Sequence, residues 1–155
     1  MVTCLFLDTS AVVKRYKAEV GTVWLEALMD PGTGHRIVLS EITLAEIAAA
    51  LAAMQRASGG MTQLERDQAL DLFLQHCATE YELIAANRVI IDRAVGLTQT
   101  YKLRGCDSVQ LATALAINET LITAGFTPLT FIAADGDLLT AAQAEGLAIE
   151  NPNLY

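Results

Sequence analysis

Two short apolar runs, Val2–Leu7 and Leu129–Ala133, each end at an acid: Asp8 directly follows the first, and Asp135 lies one residue beyond the second. Runs of this length, bounded by polar residues and alternating with helical patterns, read as strands of a mostly parallel sheet covered on both faces. In such sheets ligands bind in the crevice beyond the carboxyl ends of the strands. Two more acids, Glu46 and Asp107, stand where helices begin. Four carboxylates gathered at one sheet edge repel one another unless a cation neutralises them. The pattern therefore points to a divalent metal centre and to phosphate chemistry.

The rest of the chain supplies the alternation. Val2–Leu7 is the first strand, and helical segments follow at about 11–16 and 22–29, the second broken by Asp30-Pro31-Gly32-Thr33-Gly34. A strand at about 36–39 leads to a strong helix over about 43–56, with Leu44, Ile47, Ala48, Leu51 and Met54 at helical spacing. Ser58-Gly59-Gly60 ends it, and Thr62-x-x-Glu65 is a capping box that starts the next helix, to about Cys77. A short strand at 81–85, a helix at about 88–101, a helix opened by Asp107, the strand at 129–133, a helix at 138–144 and a short strand at 147–149 complete the reading. The expected fold is a three-layer α/β/α sandwich, one domain spanning 1–155.

Composition narrows the classes. The chain is 53% hydrophobic, yet its longest apolar runs, such as Ile47–Met54, are too short for a membrane span. No basic stretch with a small-residue cleavage site marks a signal peptide. Cys4, Cys77 and Cys106 are odd in number and lack CxxC spacing, which argues against a disulfide framework or zinc site and for a reducing cytoplasm. The net charge of −8 argues against a nucleic-acid partner. The distribution softens this, because five of the ten basic residues flank candidate acids: Lys14, Arg15 and Lys17 after Asp8, and Lys102 and Arg104 before Asp107. Together they could steer a polyanion toward a metal centre; singly, each fits a solvated helix face.

Each acid also has a purely structural reading. Asp8 and Asp107 suit helix N-caps. Thr43-x-x-Glu46 fits a capping box, and Asp135 fits a turn ahead of a helix. All four acids in this order, beside the expected elements, are harder to explain by capping alone. Neither His35, in a turn, nor His76, near a helix end, suits an acid–base pair.

Four segments together resemble a known family. Leu-Asp-Thr-Ser (7–10), Ser-x5-Glu (40–46), Arg-x2-Asp-Ser-Val-Gln-Leu-Ala-Thr-Ala (104–114) and Phe-Ile-Ala-Ala-Asp (131–135) are similar to the acidic motifs of PIN-domain ribonucleases, closest to VapC-type toxins of toxin–antitoxin pairs. The resemblance extends to Ala-x3-Gly-Leu (142–147). It implies a Mg²⁺- or Mn²⁺-dependent endoribonuclease with Asp8, Glu46, Asp107 and Asp135 as the catalytic, metal-binding acids. Asp137, in the same loop, replaces or assists Asp135, and Thr9 or Ser10 offers a hydroxyl. Lys14, Arg15 and Arg104 are the candidate RNA contacts. The resemblance further implies a homodimer and a basic antitoxin whose tail blocks the site. An Arg or Lys of that tail would sit near Asp8 and Asp107, and Val12, Trp24 and Leu28 are candidate anchors for its helix, with core packing as the alternative reading. A non-catalytic PIN-like interaction module is the competing class.

Other strand–acid folds fit less well. A haloacid-dehalogenase-like phosphatase needs a second acid two residues after the first, where Ser10 stands. A receiver domain needs a Lys near its final strands, and neither Lys nor Arg follows Arg104. A dinucleotide-binding turn needs glycines that Thr9-Ser10-Ala11 lacks.

Overall fold

A computed structural model describes residues 2–155. Its first strand, β1 (Cys4–Leu7), is buried along its whole length because alternate side chains enter two different cores. Cys4 and Phe6 face one and Leu5 and Leu7 the other. The same alternation recurs in β2 (Arg36–Ser40), where Ile37 and Leu39 oppose Val38. With β3 (Tyr81–Ile84), β4 (Thr130–Ile132) and β5 (Ala148–Glu150) these form one parallel sheet in the order β3-β2-β1-β4-β5.

Among the described residues seven α-helices cover both faces. α1 (Thr9–Val12), α2 (Thr22–Met29), α3 (Ile42–Arg56) and α4 (Gln63–Thr79) pack against Leu5, Leu7, Ile37 and Leu39 through Val12, Leu25, Ile47, Leu51 and Phe73. α5 (Arg88–Thr100), α6 (Gly105–Thr123) and α7 (Gly136–Ala144) cover the opposite face through residues such as Ile90, Leu97, Leu111 and Leu138. The expected three-layer α/β/α sandwich is therefore the fold. The chain winds outward from β1 through β2 to β3, then returns to lay β4 on the other side of β1. The connection leaving β1 and the one entering β4 lie on opposite faces, so a crevice opens between the carboxyl ends of β1 and β4.

Most expected elements are present with shifted ends. The segment at 11–16 is α1 followed by a 3₁₀ turn at Val13–Arg15. The α6 helix begins at Gly105 with Arg104 as its N-cap, so Asp107 lies in the first turn and does not open the helix. Thr62 and Glu65 form the expected capping box, at 3.1 Å from the Glu65 N–H to Thr62 Oγ1 and 2.6 Å from the Thr62 N–H to Glu65 Oε2. A final 3₁₀ turn at Pro152–Leu154 was not foreseen. It packs over Gly21, where a Cβ would fall on the Pro152 carbonyl and where φ is +87°, so the site admits only glycine without rearrangement.

Candidate active site

The β1/β4 crevice is built around Asp8. Its N–H extends the sheet by donating to the Ile132 carbonyl at 2.9 Å, and its carboxylate caps α1 by accepting the Ser10 N–H at 3.0 Å. The Ser10 hydroxyl donates to Asp8 Oδ2 at 2.6 Å and accepts the Ala134 N–H at 2.9 Å. Ser10 thus ties the end of β1 to the loop after β4, which carries Asp135. Asp8 is the α1 cap, and capping leaves it in the crevice, so this role does not compete with the reading of it as a site acid.

Glu46 is not a capping-box residue. The α3 N-cap is Glu41, which makes no side-chain cap bond. Glu46 instead reaches back across the crevice, where Oε1 accepts from Thr9 Oγ1 at 2.8 Å and from Gln110 Nε2 at 2.8 Å. Asp107 is buried in the first turn of α6, where the helix dipole favours a negative charge. Arg104, one turn earlier, donates from Nε to Asp107 Oδ2 at 2.9 Å and from Nη2 to Oδ1 at 3.4 Å. Asp135 caps α7, accepting the Asp137 and Leu138 N–H groups at 3.0 and 3.2 Å. Asp107, Asp135 and Asp137 line a cleft of about 440 Å³ together with Lys102 and Arg104. Asp137 is exposed and Asp135 half-buried.

The electrostatics join the acids. Burial pushes the Asp8 carboxyl up from 3.8 to about 6, opposed by the Ser10 hydrogen bonds and reinforced by the negative charges of Asp107 and Glu46. The donor set is hard oxygen, which suits Mg²⁺ or Mn²⁺, and Mg²⁺ keeps several waters and needs only one or two carboxylates. Even so, no group of three or more Asp, Glu, His or Cys side chains among the described residues is placed to hold a metal ion. Each acid has a donor of its own: Ser10 for Asp8, Thr9 and Gln110 for Glu46, Arg104 for Asp107, and the α7 N-terminus for Asp135.

Two of the candidate RNA contacts, Lys14 and Arg15, are engaged inside the fold. Lys14 is buried, with Nζ donating at 3.0 Å to both Glu19 Oε1 and the Val20 carbonyl. Arg15 is turned inward onto Glu80 Oε2 at 2.8 Å and the Tyr81 hydroxyl at 2.7 Å. That cluster includes Tyr16, which shares hydrogen bonds with Tyr81 and His76 and pins the segment after α1 to α4 and β3. Both cations are spent inside the fold, Lys14 on the loop that follows it and Arg15 on the end of α4 and the start of β3. Of the three candidate RNA contacts, Arg104 is the accessible one, its side chain 80% exposed. Of the proposed partner anchors, Val12 is wholly core and Trp24 is stacked under Tyr155, with ring centroids 4.3 Å apart.

Sequence reasoning did not single out Gln110, whose carboxamide bonds Glu46, Thr43 and Thr9. The available signal was a carboxamide at a position of α6 whose neighbours Leu111, Ala112 and Ala114 are apolar. Thr43, also buried, accepts from Gln110 Nε2 at 2.9 Å.

A parallel α/β/α sandwich whose buried acids meet at the β1/β4 crevice defines a class of acid-centred α/β domains. The chain belongs to the PIN domain family, whose profile matches residues 5–126. No curated protein sequence matches it at a significant level. Among solved structures it is similar to VapBC2 from Rickettsia felis bound to a DNA fragment from its promoter, at 16% identity and TM-score 0.64, covering 96% of this chain and 98% of that one. A toxin–antitoxin complex from Klebsiella pneumoniae aligns at 19% identity and TM-score 0.62, covering 96% and 97%. VapC20 of Mycobacterium tuberculosis, a toxin that cleaves the sarcin–ricin loop, aligns at 17% identity and TM-score 0.60, covering 93% and 96%. At these identities the likeness establishes the fold.

Proposed function

We propose that the protein is a metal-dependent endoribonuclease and the toxin of a toxin–antitoxin pair. The observation that carries this reading is the set of hydrogen bonds that ties the acids together: Thr9, next to Asp8, and Gln110, one turn after Asp107, both donate to Glu46 Oε1. Membership of the PIN family and the toxin assignments of the similar structures support it. Asp8, Glu46 and Asp107 would hold Mg²⁺ or Mn²⁺, with Asp135 or Asp137 as the fourth acid. The ion would supply Lewis-acid stabilisation of the leaving oxygen and a water of lowered pKa as nucleophile. Ser10 orients Asp8, Thr9 restrains Glu46, and Arg104 meets a phosphate of the RNA. The test is cleavage of RNA by the full-length protein with Mn²⁺, with and without EDTA. Cleavage that persists in EDTA refutes the mechanism.

Arg104 faces two demands, since it pairs with Asp107 and lines the cleft. Arg104→Ala is expected to tighten Mn²⁺ binding by freeing Asp107, and to raise the KM for RNA roughly tenfold through loss of a charge-assisted phosphate contact. Calorimetry with Mn²⁺ and steady-state kinetics check both arms. An unchanged KM removes Arg104 from substrate binding.

The partner in this reading is a basic antitoxin that places an Arg or Lys near Asp8 and Asp107, matching the chain's net charge of −8. Its binding should weaken with salt, and inhibition that survives loss of every basic residue in its tail defeats the electrostatic account. The toxin itself is read as a cytoplasmic homodimer. No helix among the described residues is long and apolar enough to cross a membrane.

One observation favours a second reading. The separate protein donor on each acid, and the absence among the described residues of a three-acid metal group, suit a non-catalytic interaction module. Mn²⁺ titration separates the two, since a module of that kind has no carboxylate-dependent affinity.

A further inference from the structure

Gln110 lies one turn after Asp107 on α6, wholly buried and followed in the chain by the core residues Leu111 and Ala112. Its Nε2 is 2.8 Å from Glu46 Oε1, 2.9 Å from Thr43 Oγ1 and 3.2 Å from Thr9 Oγ1. Its Oε1 has no hydrogen-bond partner, and it is the only buried side-chain polar atom among the described residues left so. An orphaned buried acceptor is costly. Turning the amide over would let Oε1 accept from the Thr43 hydroxyl, but it would set that oxygen against Glu46 Oε1. The carboxylate therefore dictates the direction of the amide. A Leu or Met would satisfy the core equally well without leaving an orphan.

We propose that Gln110 is the positioning residue of the acidic centre, holding Glu46 Oε1 from α6 so that its second oxygen is presented to the cation. Thr9 and Gln110 both act on Oε1. Among the described residues no protein donor engages Oε2. Because Gln110 and Asp107 share one helix, the carboxamide also sets the spacing between α3 and the start of α6, and thus between two of the acids. This rests on the metal-centred reading above and adds to it the residue that orients one ligand.

The test is calorimetric Mn²⁺ affinity of the full chain, with melting temperature and circular dichroism as controls for folding. Gln110→Met keeps the volume and removes the donor. It is expected to weaken Mn²⁺ binding about 10–100-fold, as loss of a group that orients a ligand does. At saturating Mn²⁺ its kcat should return toward wild type, while the metal concentration for half-maximal activity stays raised. In a Glu46→Gln background the same substitution should have no further effect on affinity. Gln110→Asn keeps the amide but stops a methylene short of Glu46. It should show the same loss, and it carries the test should Gln110→Met not fold. Unchanged affinity in either folded variant overturns the proposal, as does an equal loss in the Glu46→Gln background. A wild-type chain without measurable Mn²⁺ affinity overturns instead the metal-centred reading on which it rests.

Discussion

Asp8→Asn is expected to abolish Mn²⁺-dependent RNA cleavage while making the metal-free protein more stable at pH 8. The carboxyl is buried, and its pKa is raised from 3.8 to about 6. As pH rises, the unfolded chain ionises first, so between about pH 4 and 6 the folded state holds the extra proton. Stability supplied by the protonated form is present below the unfolded pKa, is lost across that window, and stays lost above it. The size is on the order of 2–3 kcal/mol. Asparagine removes the charge and still accepts the Ser10 N–H, so the α1 cap survives. The variant should melt roughly 5–10 °C higher at pH 8, given about 2–4 °C per kcal/mol for a chain of this size. The difference from wild type should vanish near pH 4. Cleavage should fall more than about a hundredfold, beyond the usual cost of losing a group that only supports a ligand. Equal melting temperatures at pH 8 would contradict the burial argument, and retained cleavage would remove Asp8 from the chemistry.

The second large effect lies in the core. Phe131 on β4 is wholly buried and stacks on its registered partner Phe6 of β1, with centroids 5.7 Å apart and planes 8° from parallel. The pair fills the α5–α7 side of the sheet at the strands that end in the acidic crevice. Phe131→Ala is expected to cost about 3–5 kcal/mol by lost transfer free energy and cavity formation. Urea denaturation should show the full loss. The 66%-exposed Phe126, changed to Ala as a control, should stay within about 0.5 kcal/mol of wild type. A Phe131→Ala loss below about 1 kcal/mol would mean that the stack carries little of the sheet's stability.

The strands were readable because each is a short apolar run ending at a polar residue, and the helices because their apolar residues repeat at helical spacing. Their exact ends were not readable. At α6 the N-cap is Arg104, in extended geometry three residues before Asp107, so a start read at Asp107 falls two residues late. Among the proposed site residues, Asp8 and Asp135 could be picked out from their place after strands. Glu46 was ambiguous, because Thr43-x-x-Glu46 is a valid capping box, and only its contacts with Thr9 and Gln110 decide against that. Lys14 and Arg15 looked like surface cations because a helical segment next to a site acid is ordinarily solvated. Arg15's partners Glu80 and Tyr81 lie more than sixty residues away, beyond the reach of local pattern, whereas Lys14 is taken up by Glu19 and the Val20 carbonyl where the chain folds back on itself.

The amino-acid sequence by itself determined the alternation of strand and helix, the layering that two-sided apolar strands require, and the placement of acids at the carboxyl edge. These follow from local periodicity and from the burial each segment must find. The tertiary structure alone decided which donor each acid receives, that Lys14 and Arg15 are consumed inside the fold, and that Gln110 faces Glu46. Hydrogen bonds and ion pairs depend on distances of a few ångströms between side chains brought together by packing. No spacing along the chain encodes those distances.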